Sequence, residues 1–196
     1  MNTNRAVVVD PTASGRLVIC EVEPPAPGPS EAVVRVTAIS LNRGEVGYSR
    51  HAEAGWRPGW DLAGVVEQAA ADGSGPKAGA RVVGILRGGA WAEYVAVPTN
   101  ALAELPEAVT FAQAATLPVA GLTALHALMK GGLLLERPVL VTGATGGVGD
   151  FALQLGRLSG ARAVAHIRHA EQEAEVKEAG AEALPLCQRH NSLLRG

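Results

Sequence analysis

The chain has 196 residues, 47% hydrophobic and 18% charged, with a formal net charge of −2. That composition is globular, fits one large or two small domains, and excludes a polyanion-binding surface, so no nucleic-acid partner is expected. Gly (24) and Pro (12) recur without a fixed period, which marks many turns rather than a collagen-like or disordered chain.

The opening residues, MNTNRAVVVD, lack the basic region and long apolar core of a secretory leader. The longest apolar stretch, near 122–141, is broken by Lys130, Gly131, Gly132, Glu136, Arg137 and Pro138, so no membrane span is expected. Cys20 and Cys187 lie far apart with no C-x-x-C between them. They read as two reduced thiols of a cytoplasmic protein, not as a disulfide framework or a zinc knuckle.

The first hundred residues read as β structure. AVVVD, RLVICEV, AVVRVTAI, LAGVVEQ, ARVVGIL and AWAEYVAV are short β-branched runs separated by PPAPGPSE, ADGSGPKAG and LRGGA, which are turn chemistry. Several alternate apolar with polar, as half-buried antiparallel strands do, and a compact all-β domain or barrel is expected.

The character changes near Thr110. There TFAQ fits a capping box with Thr110 as N-cap and Gln113 reaching back, and the short helix that follows stops before Pro118. A second helix is expected over Val119 to Lys130 with Gly131 as its C-cap. Then come a strand over 139–142, a glycine-rich turn, and a helix from about Gly147 to Ser159 with Val148, Phe151, Ala152, Leu155 and Leu158 on one face. RAVAHIR is the next strand. A helix over about 171–179 follows, closed by Gly180, with Glu173 and Lys177 as an i,i+4 pair. A third strand begins over Ala183 to Cys187. The order β-α-β-α implies a parallel sheet with right-handed crossovers.

The turn VTGATGGVG carries the chemistry. A dinucleotide needs the backbone close to its pyrophosphate and a helix N-terminus aimed at it, and side chains obstruct that approach. Gly143, Gly146 and Gly149 are spaced by three, with Ala144 where the first glycine of G-x-G-x-x-G would stand and Gly147 and Val148 opening the helix. A strand precedes and a helix follows, as dinucleotide binding requires. The alternative is a glycine-rich turn with no ligand. Asp150 adds negative charge beside the expected phosphates and reads as a dipole-stabilising residue facing solvent. The second strand ends His166-Ile167-Arg168-His169 with no carboxylate for a ribose 2′-OH. Arg168 suits a 2′-phosphate, so NADP(H) is the expected cofactor; otherwise Arg168 is an ordinary surface arginine. His166 and His169 read as solvated neighbours.

TGATGGVG also satisfies the T-G-x-x-x-G-x-G pattern of short-chain dehydrogenases. That family needs a downstream Tyr-x-x-x-Lys, and no tyrosine follows Gly149. The segments AISLNRGE (38–45), PGWDLAGVV (58–66), GARVVGI (79–85), GAWAEYVAVP (89–98), ATLPVAGLTALHAL (115–128) and VLVTGATGGVG (139–149) together resemble the medium-chain dehydrogenase/reductase superfamily, in its zinc-independent quinone-oxidoreductase branch, over about 15–183. The resemblance implies a GroES-like β-barrel catalytic domain, 1–118, followed by a partial Rossmann domain, 119–196, with the active cleft between them. It also implies hydride transfer from NADPH to a quinone or activated alkene. Asn42 would face the nicotinamide cleft, Thr123 would contact the nicotinamide end, and Tyr48 would donate a proton or touch substrate. The residues leave blander roles open: Asn42 as a turn former, Thr123 bonding a backbone carbonyl, Tyr48 as a loop aromatic. Trp60 reads as packing at the domain junction. Zinc-dependent relatives carry cysteine where this chain has Asn42 and Gly-His-Glu where it has Gly59-Trp60-Asp61, so no catalytic zinc is expected. Developing oxyanion charge would then be stabilised by hydrogen bonds.

A doubly wound nucleotide domain has about six strands, at roughly 30 residues per βαβ unit. The 59 residues from Pro138 to Gly196 hold about two such units and the start of a third strand. The stretch CQRHNSLLRG departs from the family pattern, and a C-terminally truncated or frame-altered product is the expectation that fits it. The strand at Val139–Thr142 would then keep one edge open, a site of self-association. The function expected is an NADPH-dependent reductase impaired by truncation. The alternative is a non-catalytic remnant or nucleotide-binding module completed by another chain.

Overall fold

The β-branched runs of the first hundred residues pair as two antiparallel sheets. Residues 3–185 are described in the computed structural model, which divides into two units, Met1–Val119 and Ala120–Gly196. Cys187 and the stretch that follows it lie outside the described residues.

In the first unit, β1 (Asn4–Val9) and β2 (Leu17–Val22) form a hairpin. β3 (Glu31–Ile39) leads into a short helix, α1 (Arg43–Ser49). β4 (Asp61–Gln68), β5 (Arg81–Ile85), β6 (Tyr94–Pro98) and β7 (Leu102–Glu104) join β3 in a five-stranded sheet of order β6-β3-β4-β5-β7. The hairpin is a second sheet, tied to the residues before β6 by the Ala6↔Ala92 bridge and by main-chain bonds from Val7 N–H to the Trp91 carbonyl (2.9 Å) and from Glu93 N–H to the Arg5 carbonyl (3.0 Å). Register shifts in the β3–β4 pairing bend the sheet. Ala32, Val34, Leu62, Val66, Val82, Val95 and Val97, drawn from its four longer strands, then pack into one core. Removal of these chains from water supplies the main driving force for this unit. A second small cluster seats α2 (Phe111–Ala115) on the sheet through Ala63, Ala114 and Ala115. Thr110 caps α2 as expected, with the Gln113 amide N–H donating to its hydroxyl.

The α2 helix stops at Ala115, before Pro118 as expected, but the next α-helix does not begin at Val119. The chain passes from α2 through a π-helical turn, Leu117–Gly121, into α3 (Leu122–Met129). Gly131 is not the left-handed cap. Lys130 is the C-cap, and the positive φ (70°) falls on Gly132.

In the second unit, β8 (Pro138–Thr142), α4 (Gly147–Leu158), β9 (Arg162–Ile167), α5 (Glu173–Glu178) and β10 (Glu182–Pro185) build a parallel sheet of order β10-β9-β8. Its core is Val141, Ala144, Leu153, Ala163, Ala165, Ile167, Val176 and Ala181. The stripe expected on α4 is displaced. Val148 is 40% and Leu158 82% exposed, while Gly149, Leu153 and Gly156 are buried. The small residues lie on the face that meets the sheet, leaving Leu153 as the one large side chain on that line. The Glu173–Lys177 pair forms at 2.7 Å.

Candidate functional site

β8 delivers the glycine turn. Gly143 takes φ +63°, and its carbonyl accepts from the Gly146 N–H at 2.9 Å. Gly146 is the N-cap of α4 and has no side chain with which to cap it, so the first-turn N–H groups stay open to a ligand. Gly149 closes the turn: a Cβ there would stand 2.2 Å from the Gly143 carbonyl oxygen and 2.7 Å from the Ala144 Cα. Ala144 is buried beneath the turn, while Gly147 and Val148 face solvent. Asp150 accepts from the Gln154 side chain one turn on, at 2.8 Å.

Arg168 stands exposed where β9 ends. Its main-chain N–H and that of His169 donate to Gln172 Oε1 at 3.0 and 3.1 Å, and Gln172 Nε2 donates to Thr145 Oγ1 at 2.8 Å. Gln172 thus ties the strand exit that carries Arg168 to the glycine turn. Sequence reasoning missed both Gln172 and Thr145, because no local pattern joins positions 27 residues apart.

Asn42 starts α1, a helix that sequence reading did not recognise, although Asn42-x-x-Glu45 is the same capping signal as Thr110-x-x-Gln113. Glu45 and Asp61 are both fully buried, at 0% exposure. The Glu45 carboxylate accepts from the main-chain N–H groups of Asn42 (2.6 Å) and Trp60 and from Asn42 Nδ2 (3.1 Å). The Asp61 carboxylate accepts from Asn42 Nδ2 (2.8 Å), the Ser40 hydroxyl and the Val119 N–H (2.8 Å). An amide carries two N–H protons, and here both face carboxylates. Asn42 therefore has its side-chain N–H groups committed within the unit. Burial pushes the Glu45 carboxyl above its ordinary value; hydrogen bonds from Asn42 and Trp60 oppose that shift, and the nearby Asp61 charge adds to it. Among the described residues no group of three His, Cys, Asp or Glu side chains could hold a metal ion.

Tyr48, six residues after Asn42, lies elsewhere. It is 62% exposed, packs on Trp56 with ring centroids 4.9 Å apart, and borders an open recess with Gly47, His51 and Glu53. The Trp60 ring lies over Gly44 of α1, where a Cβ would come within 2.6 Å of it, so Trp60 packs inside the first unit. Thr123 is exposed on α3, and its hydroxyl makes no hydrogen bond among the described residues.

Residues 28–107 match the model of the alcohol dehydrogenase GroES-like domain. The chain is 35% identical over 161 residues to a chloroplast envelope quinone oxidoreductase homolog of Arabidopsis thaliana, which covers 74% of this chain and 49% of that protein. The structure of the quinone oxidoreductase from Coxiella burnetii superposes with a TM-score of 0.85 at 26% identity, over 94% of this chain and 62% of that one. The chain belongs to the medium-chain dehydrogenase/reductase superfamily, beside its quinone oxidoreductases. The chain is also similar to the synaptic vesicle membrane protein VAT-1 homolog of Rattus norvegicus, 44% identical over 140 residues, 68% of this chain and 35% of that protein. The chain thus spans between about a third and a half of the length of these curated relatives. Among the described residues no helix is long and apolar enough to cross a membrane.

Proposed function

We propose that the chain is the GroES-like and nucleotide-turn portion of a cytoplasmic, zinc-independent reductase that uses NADPH to reduce quinones or activated alkenes. The observation that carries this reading is the glycine turn. Gly149 seated on the Gly143 carbonyl and an uncapped helix start at Gly147 make the surface that a pyrophosphate requires. On this reading β8, β9 and β10 are the first three strands of a Rossmann sheet, whose outward order from the centre is 1-2-3. The domain boundary is placed at 118/119.

A bound dinucleotide would supply the hydride. The residues of the chain bind and orient it. The Gly146 N–H is taken by the Gly143 carbonyl, so main-chain N–H groups at Gly147 to Gly149 would hold the pyrophosphate, and the Arg168 guanidinium would pair with the 2′-phosphate. The Thr123 hydroxyl, which makes no hydrogen bond among the described residues, would bond the nicotinamide end. The Asn42 side-chain protons are committed to Glu45 and Asp61, so Asn42 is not the donor that stabilises an oxyanion. The exposed Tyr48 hydroxyl is the group proposed to donate a proton or to touch substrate.

A second reading has an observation of its own. β8 pairs with β9 on one side and with no strand on the other among the described residues, and Leu140 on it is 59% exposed. An open apolar edge suits a nucleotide-binding module completed by another chain, or self-association through Val139–Thr142. On this second reading the described residues alone would hold NADPH weakly, and misplacement of reacting atoms by about 1 Å costs about a hundredfold in rate.

A steady-state assay with NADPH and a panel of quinones, run beside size-exclusion chromatography, tests this. Slow turnover by a self-associated species is expected. Arg168→Ala is expected to weaken NADPH by about 1.5–3 kcal/mol and to leave NADH unchanged. A monomer that turns over many times per second contradicts the second reading. Equal affinity of the unmutated chain for NADPH and NADH removes the cofactor assignment.

A further inference from the structure

We propose that Gln172 determines preference for the 2′-phosphate over the 2′-hydroxyl. This rests on the reading above, in which the adenosine ribose lies between the glycine turn and the exit of β9. The Gln172 side chain spans that gap. Its Oε1 takes both main-chain N–H groups at the strand exit, Arg168 and His169, and its Nε2 reaches Thr145 in the turn. Two consequences follow. The main-chain donors at this corner are occupied, so a 2′-phosphate meets only side-chain donors, with Arg168 the permanent cation among them. The group that occupies them is neutral. A carboxylate in the same place would accept from the same two N–H groups, and the Thr145 hydroxyl could turn to donate to it, so the corner would keep its shape. It would then do what an acidic residue does at the end of the second strand in NAD-binding sheets: accept from the 2′-hydroxyl and repel a phosphate. Gln172 fills that position without the charge.

Gln172 also caps the 3-10 turn Ala170–Gln172, and a purely structural role would affect NADPH and NADH alike. The two roles separate in a ratio. NADPH and NADH are titrated by fluorescence into the full chain and into Gln172→Glu and Gln172→Lys, with thermal unfolding of each. The unmutated chain is expected to favour NADPH. Gln172→Glu is expected to lower the NADPH:NADH affinity ratio about tenfold, mainly by weakening NADPH, while Gln172→Lys raises it. If one variant fails to fold, the other still gives a signed result. A ratio that stays at the unmutated value in every folded variant overturns the proposal and leaves the nucleotide reading intact. Absence of any NADPH preference in the unmutated chain, or of binding by either nucleotide, overturns that reading and the proposal with it.

Discussion

Two carboxylates without a counter-cation among the described residues, Glu45 and Asp61, are held at the floor of the first unit by donors alone. Burial outweighs those donors at Glu45 and raises its pKa. The folded chain therefore binds that proton more tightly than the unfolded chain does. The stabilisation is complete below the ordinary carboxylate value and is lost as pH rises through the raised one. Glu45→Gln cannot titrate and turns an N–H toward donors, so it is expected to destabilise by about 1–3 kcal/mol. Its deficit relative to the unmutated chain should be largest in acid and shrink as pH rises through the Glu45 titration. Urea denaturation of both chains between about pH 4 and pH 7 checks this; a deficit that is constant, or that grows with pH, contradicts it. Asn42 was legible in the sequence as a residue that replaces a zinc ligand, but its orientation was not. The meeting of Asn42 with Asp61 depends on how β3 and β4 pair, and nothing local to either residue encodes it.

Strand and helix order was read well from period and turn chemistry, because β-branched runs and glycine punctuation act locally. Faces were read less well. On α4 the large apolar residues Val148 and Leu158 suggested the buried side, whereas the buried line runs through Gly149, Leu153 and Gly156. A stripe of glycine carries no hydrophobic signal, and only close packing reveals it. The two glycines that open α4 should therefore respond differently. Gly149→Ala places a methyl 2.2 Å from the Gly143 oxygen, so the turn must move, and a loss of about 1–3 kcal/mol is expected. At Gly147 the nearest atom to an added methyl is the Ala120 Cβ at 3.6 Å, an ordinary contact, and Gly147→Ala should be near neutral. Thermal unfolding of the two variants side by side decides the point; equal effects would show that the turn does not depend on this close approach.

Across the whole chain, a GroES-like unit and a three-stranded parallel unit each have their own core. The family was legible from ordered segments in both, whereas the way the β1–β2 hairpin joins the five-stranded sheet through Trp91 to Glu93 was not, since strand alternation does not encode which strands become neighbours. The central claim is that the glycine turn of the second unit holds the phosphates of NADPH. Titration of NADPH into uniformly 15N-labelled chain, followed amide by amide, tests it most directly. The account expects the largest shifts at Gly143, Ala144, Gly146, Gly147, Val148 and Gly149, with Arg168 and His169 following for NADPH and not for NADH. Saturable shifts that spare the turn, or no shift at millimolar NADPH, would contradict it.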